Sequence, residues 1–140
     1  HFTPVTDESL PTREIEAVAN SEMDLRNSKE LNSAIDSKGG FDHNFVLHNN
    51  GKLKPAAKVV APDTGIQMAV LTTLPGLQFY TGKYIDNLKG RNGLVYPPFA
   101  GLALEPQYFP DTPNQPDFPS SLLTPDQKYN HIIIYQFTQK

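Results

Sequence analysis

Three short runs of this 140-residue chain combine polar side chains with aromatic rings where strand ends or turns are expected. They are Gly40-Phe41-Asp42-His43-Asn44-Phe45-Val46-Leu47, Thr72-Thr73-Leu74-Pro75-Gly76-Leu77-Gln78-Phe79-Tyr80-Thr81-Gly82 and Leu104-Glu105-Pro106-Gln107-Tyr108-Phe109-Pro110-Asp111. Asn114-Gln115-Pro116 follows close behind the third. The mixture suits a carbohydrate, because rings cover the apolar faces of a sugar while amides and carboxylates fix its hydroxyls. Each residue also has a plainer reading. On spacing alone Glu105, between Leu104 and Pro106, is a solvated strand-end carboxylate. Asp42 could cap a turn, Gln78 could be the wet face of a strand, and Phe79 and Tyr80 are more often core than sugar platform.

Composition narrows the classes. The 12 basic and 15 acidic residues leave a net charge of -3, with no basic run to displace counterions, so a nucleic-acid partner is not expected. There is no cysteine, which excludes a disulfide scaffold and thiolate metal sites and fits a reducing, cytoplasmic setting. No apolar stretch approaches the roughly 20 residues of a membrane span, and no charged leader precedes an apolar run. The chain opens on His1 rather than Met, which reads as a processing or cleavage boundary.

Thirteen prolines and nine glycines make long helices improbable and favour short strands. The alternation in Glu14-Ile15-Glu16-Ala17-Val18 predicts a half-buried strand. Asn27 and Glu30 have the spacing of a capping box, predicting a short helix near Ser28 to Ile35 that Lys38-Gly39-Gly40 ends. Strands are expected over Phe41 to Leu47, Ala56 to Val60, Ile66 to Thr72, Leu77 to Thr81, Leu102 to Glu105 and Tyr129 to Phe137. Pro62-Asp63-Thr64-Gly65 turns the second of these into the third. Residues 86–98 read as a loop, as do residues 106–125 with their six prolines. Three consecutive isoleucines, Ile132 to Ile134, predict burial on both faces of the last strand. The whole is mainly β, and a large sandwich often needs roughly 200–250 residues, so the chain reads as part of one.

The three runs, in this order and spacing, resemble the aldose 1-epimerase (galactose mutarotase) family. The resemblance extends from Val5-Thr6-Asp7-Glu8-Ser9-Leu10-Pro11-Thr12 through Asp24-Leu25-Arg26 to the closing strand. Arg13 departs from the glycine more usual in the family after Pro-Thr, a difference in a turn. The resemblance implies a fold that is part of a large antiparallel β-sandwich, the galactose mutarotase-like supersandwich, with residues 1–140 its C-terminal portion and an N-terminal portion lying outside the chain. It implies interconversion of the α and β anomers of aldohexoses such as galactose and glucose, with no cofactor and no metal.

Residue by residue, the resemblance makes Glu105 the general base that takes the proton of the C1 hydroxyl. Asp42 holds sugar hydroxyls, and Gln78 lies near the base. The family's general acid is a histidine upstream of this chain, with a second histidine and an arginine. None of His1, His43, His48 and His131 matches it, and His43 reads as a structural neighbour. Base and acid together can open and reclose the hemiacetal, each positioned proton transfer contributing about 10²–10⁴-fold. The partners expected are an aldohexose and either a complementary N-terminal segment or a second copy, with no membrane. The alternative is a non-catalytic carbohydrate-binding or structural fragment of the same fold. A proline-motif ligand is disfavoured, since residues 106–125 lack a clean polyproline repeat with flanking basic residues.

Overall fold

A computed structural model describes residues 1–139. Among the described residues are nine strands and one α-helix: β1 Phe2–Thr3, α1 Leu31–Lys38, β2 Asp42–Val46, β3 Lys54–Ala61, β4 Ile66–Thr72, β5 Gly76–Tyr80, β6 Leu88–Lys89, β7 Val95–Tyr96, β8 Ala103–Gln107 and β9 Ile133–Gln139. They form a four-stranded sheet in the order β1-β2-β5-β8, a three-stranded sheet in the order β3-β4-β9 and the small β6-β7 hairpin. Every pairing is antiparallel. Among the described residues no helix is long and apolar enough to cross a membrane.

The sheets share one core. Phe41, Leu77, Phe79 and Leu104 come from the four-stranded sheet or its margin, Val70 from β4, Ala34 from α1, and Val18 and Met23 from the N-terminal coil. Phe41 stacks on Phe79 with ring centroids 5.2 Å apart. Side chains alternate faces along a strand. Placing Phe79, Leu77 and Leu104 inward therefore turns Gln78 and Glu105 outward. The ladder of β2 and β5 is closed beyond its last pair by Thr81. Its N–H donates to the Phe41 carbonyl (3.0 Å), and its buried Oγ1 accepts from Phe41 N–H (2.9 Å).

Several expectations need correction. The helix begins at Leu31, with Glu30 in the N-cap position making no side-chain capping bond, so the Asn27 box does not form. Its end is as expected: Gly39 adopts φ 73° and sends its N–H to the Ile35 carbonyl, a conformation that suits glycine. Glu14 to Val18 is not a strand; only Glu16 bridges, to Phe2. The loop expected over 86–98 contains β6 and β7. Ile132, Ile133 and Ile134 are 48%, 43% and 39% exposed rather than buried. Their strand is an edge: among the described residues nothing pairs with the far side of β9, so the cover their composition calls for is not supplied there.

Gly76 is where the sheet is tightest. A Cβ there would run into Asn44 Oδ1 and lie 2.9 Å from Phe109 Cδ1 and 3.2 Å from the Gln107 carbonyl oxygen. Gly76→Ala is therefore expected to destabilise by about 1–3 kcal/mol, as overpacking does. The measurement is the urea midpoint, and an unchanged midpoint would show that β2 and β8 separate freely at this end.

Candidate active site

The outward face of the four-stranded sheet is built by register. Thr3 stands opposite Asn44, Asn44 opposite Gln78, and Gln78 opposite Glu105, so one polar row crosses β1, β2, β5 and β8. Directly opposed side chains share a face at about 4.5–5.5 Å. Asp42, two residues from Asn44, lies on the same face, opposite Tyr80. The three residues expected to work together, Asp42, Gln78 and Glu105, are thus on one face of one sheet. Phe79 and Tyr80 divide: Phe79 enters the core, and Tyr80 joins the polar face, its hydroxyl accepting from Tyr84 N–H (2.8 Å).

Gln78 Nε2 donates to Asp42 Oδ1 at 2.8 Å. An ionised carboxylate only accepts, so this contact fixes the amide with its NH2 toward Asp42 and its Oε1 away. Gln78 Oε1 and Asn44 Oδ1 are both buried without a partner. Asp42, Asn44 and Gln78 line a cavity of about 120 Å³, walled also by Thr3, Val5, Ser9 and Pro110. Glu105 stands at the exposed side of Gln78, outside that cavity. The Tyr135 hydroxyl donates to the Leu104 carbonyl (2.7 Å), tying β9 to the strand of Glu105. Burial, and then the charge of Glu105, push the Tyr135 phenol pKa up.

Thr3 and Asn44 were missed by the sequence reading. Asn44 sits inside a quoted run, but only strand pairing reveals its place opposite Gln78. Other polar groups of the three runs are structural. Asp111, at φ 59°, accepts from Asn114 Nδ2 and from Gln115 Nε2 (2.7 Å), and these bonds lower its pKa.

No histidine joins the row. His43 points to the core face, packing against Phe2 and Phe41 with centroids 6.4 and 6.3 Å away, and its Nδ1 accepts from Asp42 N–H (3.0 Å). His48 lies 3.1 Å from His1. His131 bonds to Thr73 Oγ1 (3.0 Å) and Tyr108 OH (3.2 Å) beside a larger cleft of about 520 Å³ that contains none of Asp42, Gln78 and Glu105. Among the described residues no group of three or more His, Cys, Asp or Glu is placed to hold a metal ion.

Known proteins resemble the chain over nearly its whole length. The family model for aldose 1-epimerase matches residues 1–136. The chain belongs to the aldose 1-epimerase family. It is 43% identical to galactose mutarotase of Mus musculus over 98% of this chain and 41% of that protein. It is 35% identical to aldose 1-epimerase of Escherichia coli (strain K12), covering 97% of this chain and 42% of that one. A solved aldose epimerase homologue from C. elegans superposes with a TM-score of 0.89 at 27% identity, over 99% of this chain and 43% of that one. The mainly antiparallel β architecture is the family's, and the chain spans about two-fifths of the length of the curated relatives it matches.

Burial lowers the His43 pKa, helped by the nearby charge of Lys38 and opposed by Asp42. The folded state therefore favours the neutral ring. An unfolded histidine takes up a proton near pH 6.5. The stability contributed is complete above that value and is lost as pH falls through it, because the unfolded chain then binds more protons. Melting temperature is expected to drop between about pH 7 and 5, and His43→Leu should flatten that slope. Equal slopes in the two proteins would mean the ring is hydrated in the folded state.

Proposed function

We propose that this chain is the C-terminal portion of an aldose 1-epimerase acting on aldohexoses such as galactose and glucose. The observation that carries the reading is the chemistry of the polar face. Asp42, Asn44, Gln78 and Glu105 share it, and each offers an oxygen acceptor. The one amide group seen donating among the cavity residues of β5 is already taken by Asp42. A surface with several acceptors and few free donors favours a ligand that brings donors, and a sugar's hydroxyls do so.

In this reading Glu105, the exposed end of the row, is the general base. It takes the C1 hydroxyl proton as the hemiacetal opens and returns it after the aldehyde rotates. Asp42 and Gln78, already bonded to one another, accept the neighbouring hydroxyls and keep C1 within reach of Glu105. The proton for the ring oxygen comes from a histidine of the N-terminal portion, since none of the four in this chain lies on the polar face. No metal or organic cofactor is required, and the location proposed is cytoplasmic. The absence of an imidazole from that face also favours a second reading for this segment alone, a carbohydrate-binding or structural fragment without catalysis.

In the complete protein, Glu105→Gln is expected to lower kcat by roughly 10²–10⁴-fold with KM nearly unchanged, because the amide keeps the shape but cannot take a proton. Polarimetry on freshly dissolved α-D-galactose reads this directly, and a variant that kept most of its rate would remove Glu105 from the base's role. The 140 residues alone are expected to show no mutarotase activity above background, and to acquire it when joined by a complementary N-terminal segment. Full activity from the isolated monomeric chain would overturn the proposed division of acid and base.

A further inference from the structure

The proton transfers proposed above make no use of Thr3 or Asn44, although these are the most buried members of the polar row, 1% and 2% exposed. A buried amide is costly unless both its ends are bonded, each orphaned group forfeiting about 1–3 kcal/mol. Asn44 is bonded at one end only: Nδ2 donates to Thr3 Oγ1 (3.3 Å), while Oδ1 has no partner. An apolar residue there would remove the orphaned Oδ1 but leave the Thr3 hydroxyl unpaired, so the two costs oppose one another. Stability therefore gives little account of Asn44.

Its surroundings do. Thr3 holds Asn44 from β1, and on β5 its Oδ1 fills the space above Gly76 that a side chain would otherwise need. Asn44 is the residue directly opposite Gln78 and lines the same cavity. The Gln78 side chain is thereby limited from two directions. Turning its amide over would set Oε1 against the Asp42 carboxylate. Drawing back toward Gly76 is prevented because Asn44 occupies that space.

We propose that Asn44, anchored by Thr3, is a positioning residue for Gln78. It keeps the Gln78 carbonyl oxygen unpaired at the cavity wall, free to accept from a substrate hydroxyl that enters, while the NH2 stays on Asp42. The inference rests on the mutarotase reading, and the experiment separates the two. Activity of the complete wild-type protein on α-D-galactose is measured first, and an inactive wild type overturns both.

With an active wild type, Asn44→Leu is expected to melt near the wild-type temperature, since losing the orphaned Oδ1 offsets leaving the Thr3 hydroxyl unpaired. Its KM for galactose should rise roughly tenfold, about the effect of one misplaced hydrogen bond, with a smaller change in kcat. Thr3→Val should raise KM in the same direction by less, and Thr3→Ser, which keeps the hydroxyl, should restore it. The double variant Thr3→Val/Asn44→Leu should match Asn44→Leu alone, because both act by one route. A well-folded Asn44→Leu with wild-type KM overturns the proposal, as does a rise in KM that only follows a fall in melting temperature. Should Asn44→Leu fail to fold, the Thr3 pair decides: KM raised in Val but not in Ser supports the role, and equal values overturn it.

Discussion

The register between β2, β5 and β8 is the constraint on which everything else depends. Asn44 opposite Gln78 and Gln78 opposite Glu105 is one alignment, and the same alignment sets Phe79 beside Leu104 on the other face. A slip of one residue would exchange the faces, moving Phe79 into solvent and Gln78 into the core. The apolar face thus enforces the polar one. The alignment is pinned at both ends. Thr81 bonds to the Phe41 backbone through both its N–H and its hydroxyl at one end, and at the other the close approach of Asn44 and Phe109 leaves room only for glycine at position 76.

That arrangement separates the titratable groups by function. The carboxylates of Asp42 and Glu105 face outward, while the imidazole next in sequence to Asp42 turns into the core, where burial favours its neutral form. The second sheet contributes through Tyr135, whose hydroxyl holds the Leu104 carbonyl one residue before Glu105. The strand that carries Glu105 is thereby held by β5 along its length and by β9 from the far layer.

What could be read from the sequence followed the range of the interactions involved. The β3-β4 hairpin and the end of α1 depend on neighbours within a few residues, and Pro62 to Gly65 and Gly39 announced them. The start of α1 was misread because Asn27 and Glu30 had the right spacing without the local backbone that lets them bond. Glu16 alternates with apolar neighbours, yet it has only Phe2 to bridge to. Asp42, Gln78 and Glu105 stood out through their motifs. Thr3 and Asn44 could not, since nothing in their own segments specifies that they face each other and then Gln78. Nor does the segment of Asn49 announce that it is a buried clasp, donating to the Thr72 and Leu74 carbonyls at 3.1 and 2.7 Å.

The isoleucines of the last strand carry the argument furthest. Their side chains alternate between the two faces of the sheet, so covering one layer would bury only part of the run. In the described residues Ile133 and Ile134 are 43% and 39% exposed, and Phe137, farther along, is 65% exposed. An open edge with apolar side chains on both faces is a site for pairing with further chain. On the reading proposed above, the N-terminal portion brings the histidine missing from the polar face, and this edge is a surface open to it. The bond from the Tyr135 hydroxyl to the Leu104 carbonyl connects the open strand to the strand of Glu105. Catalytic competence would in that case require the completed sandwich, with the polar face of this chain supplying acceptors and a base in a geometry its own core has already set.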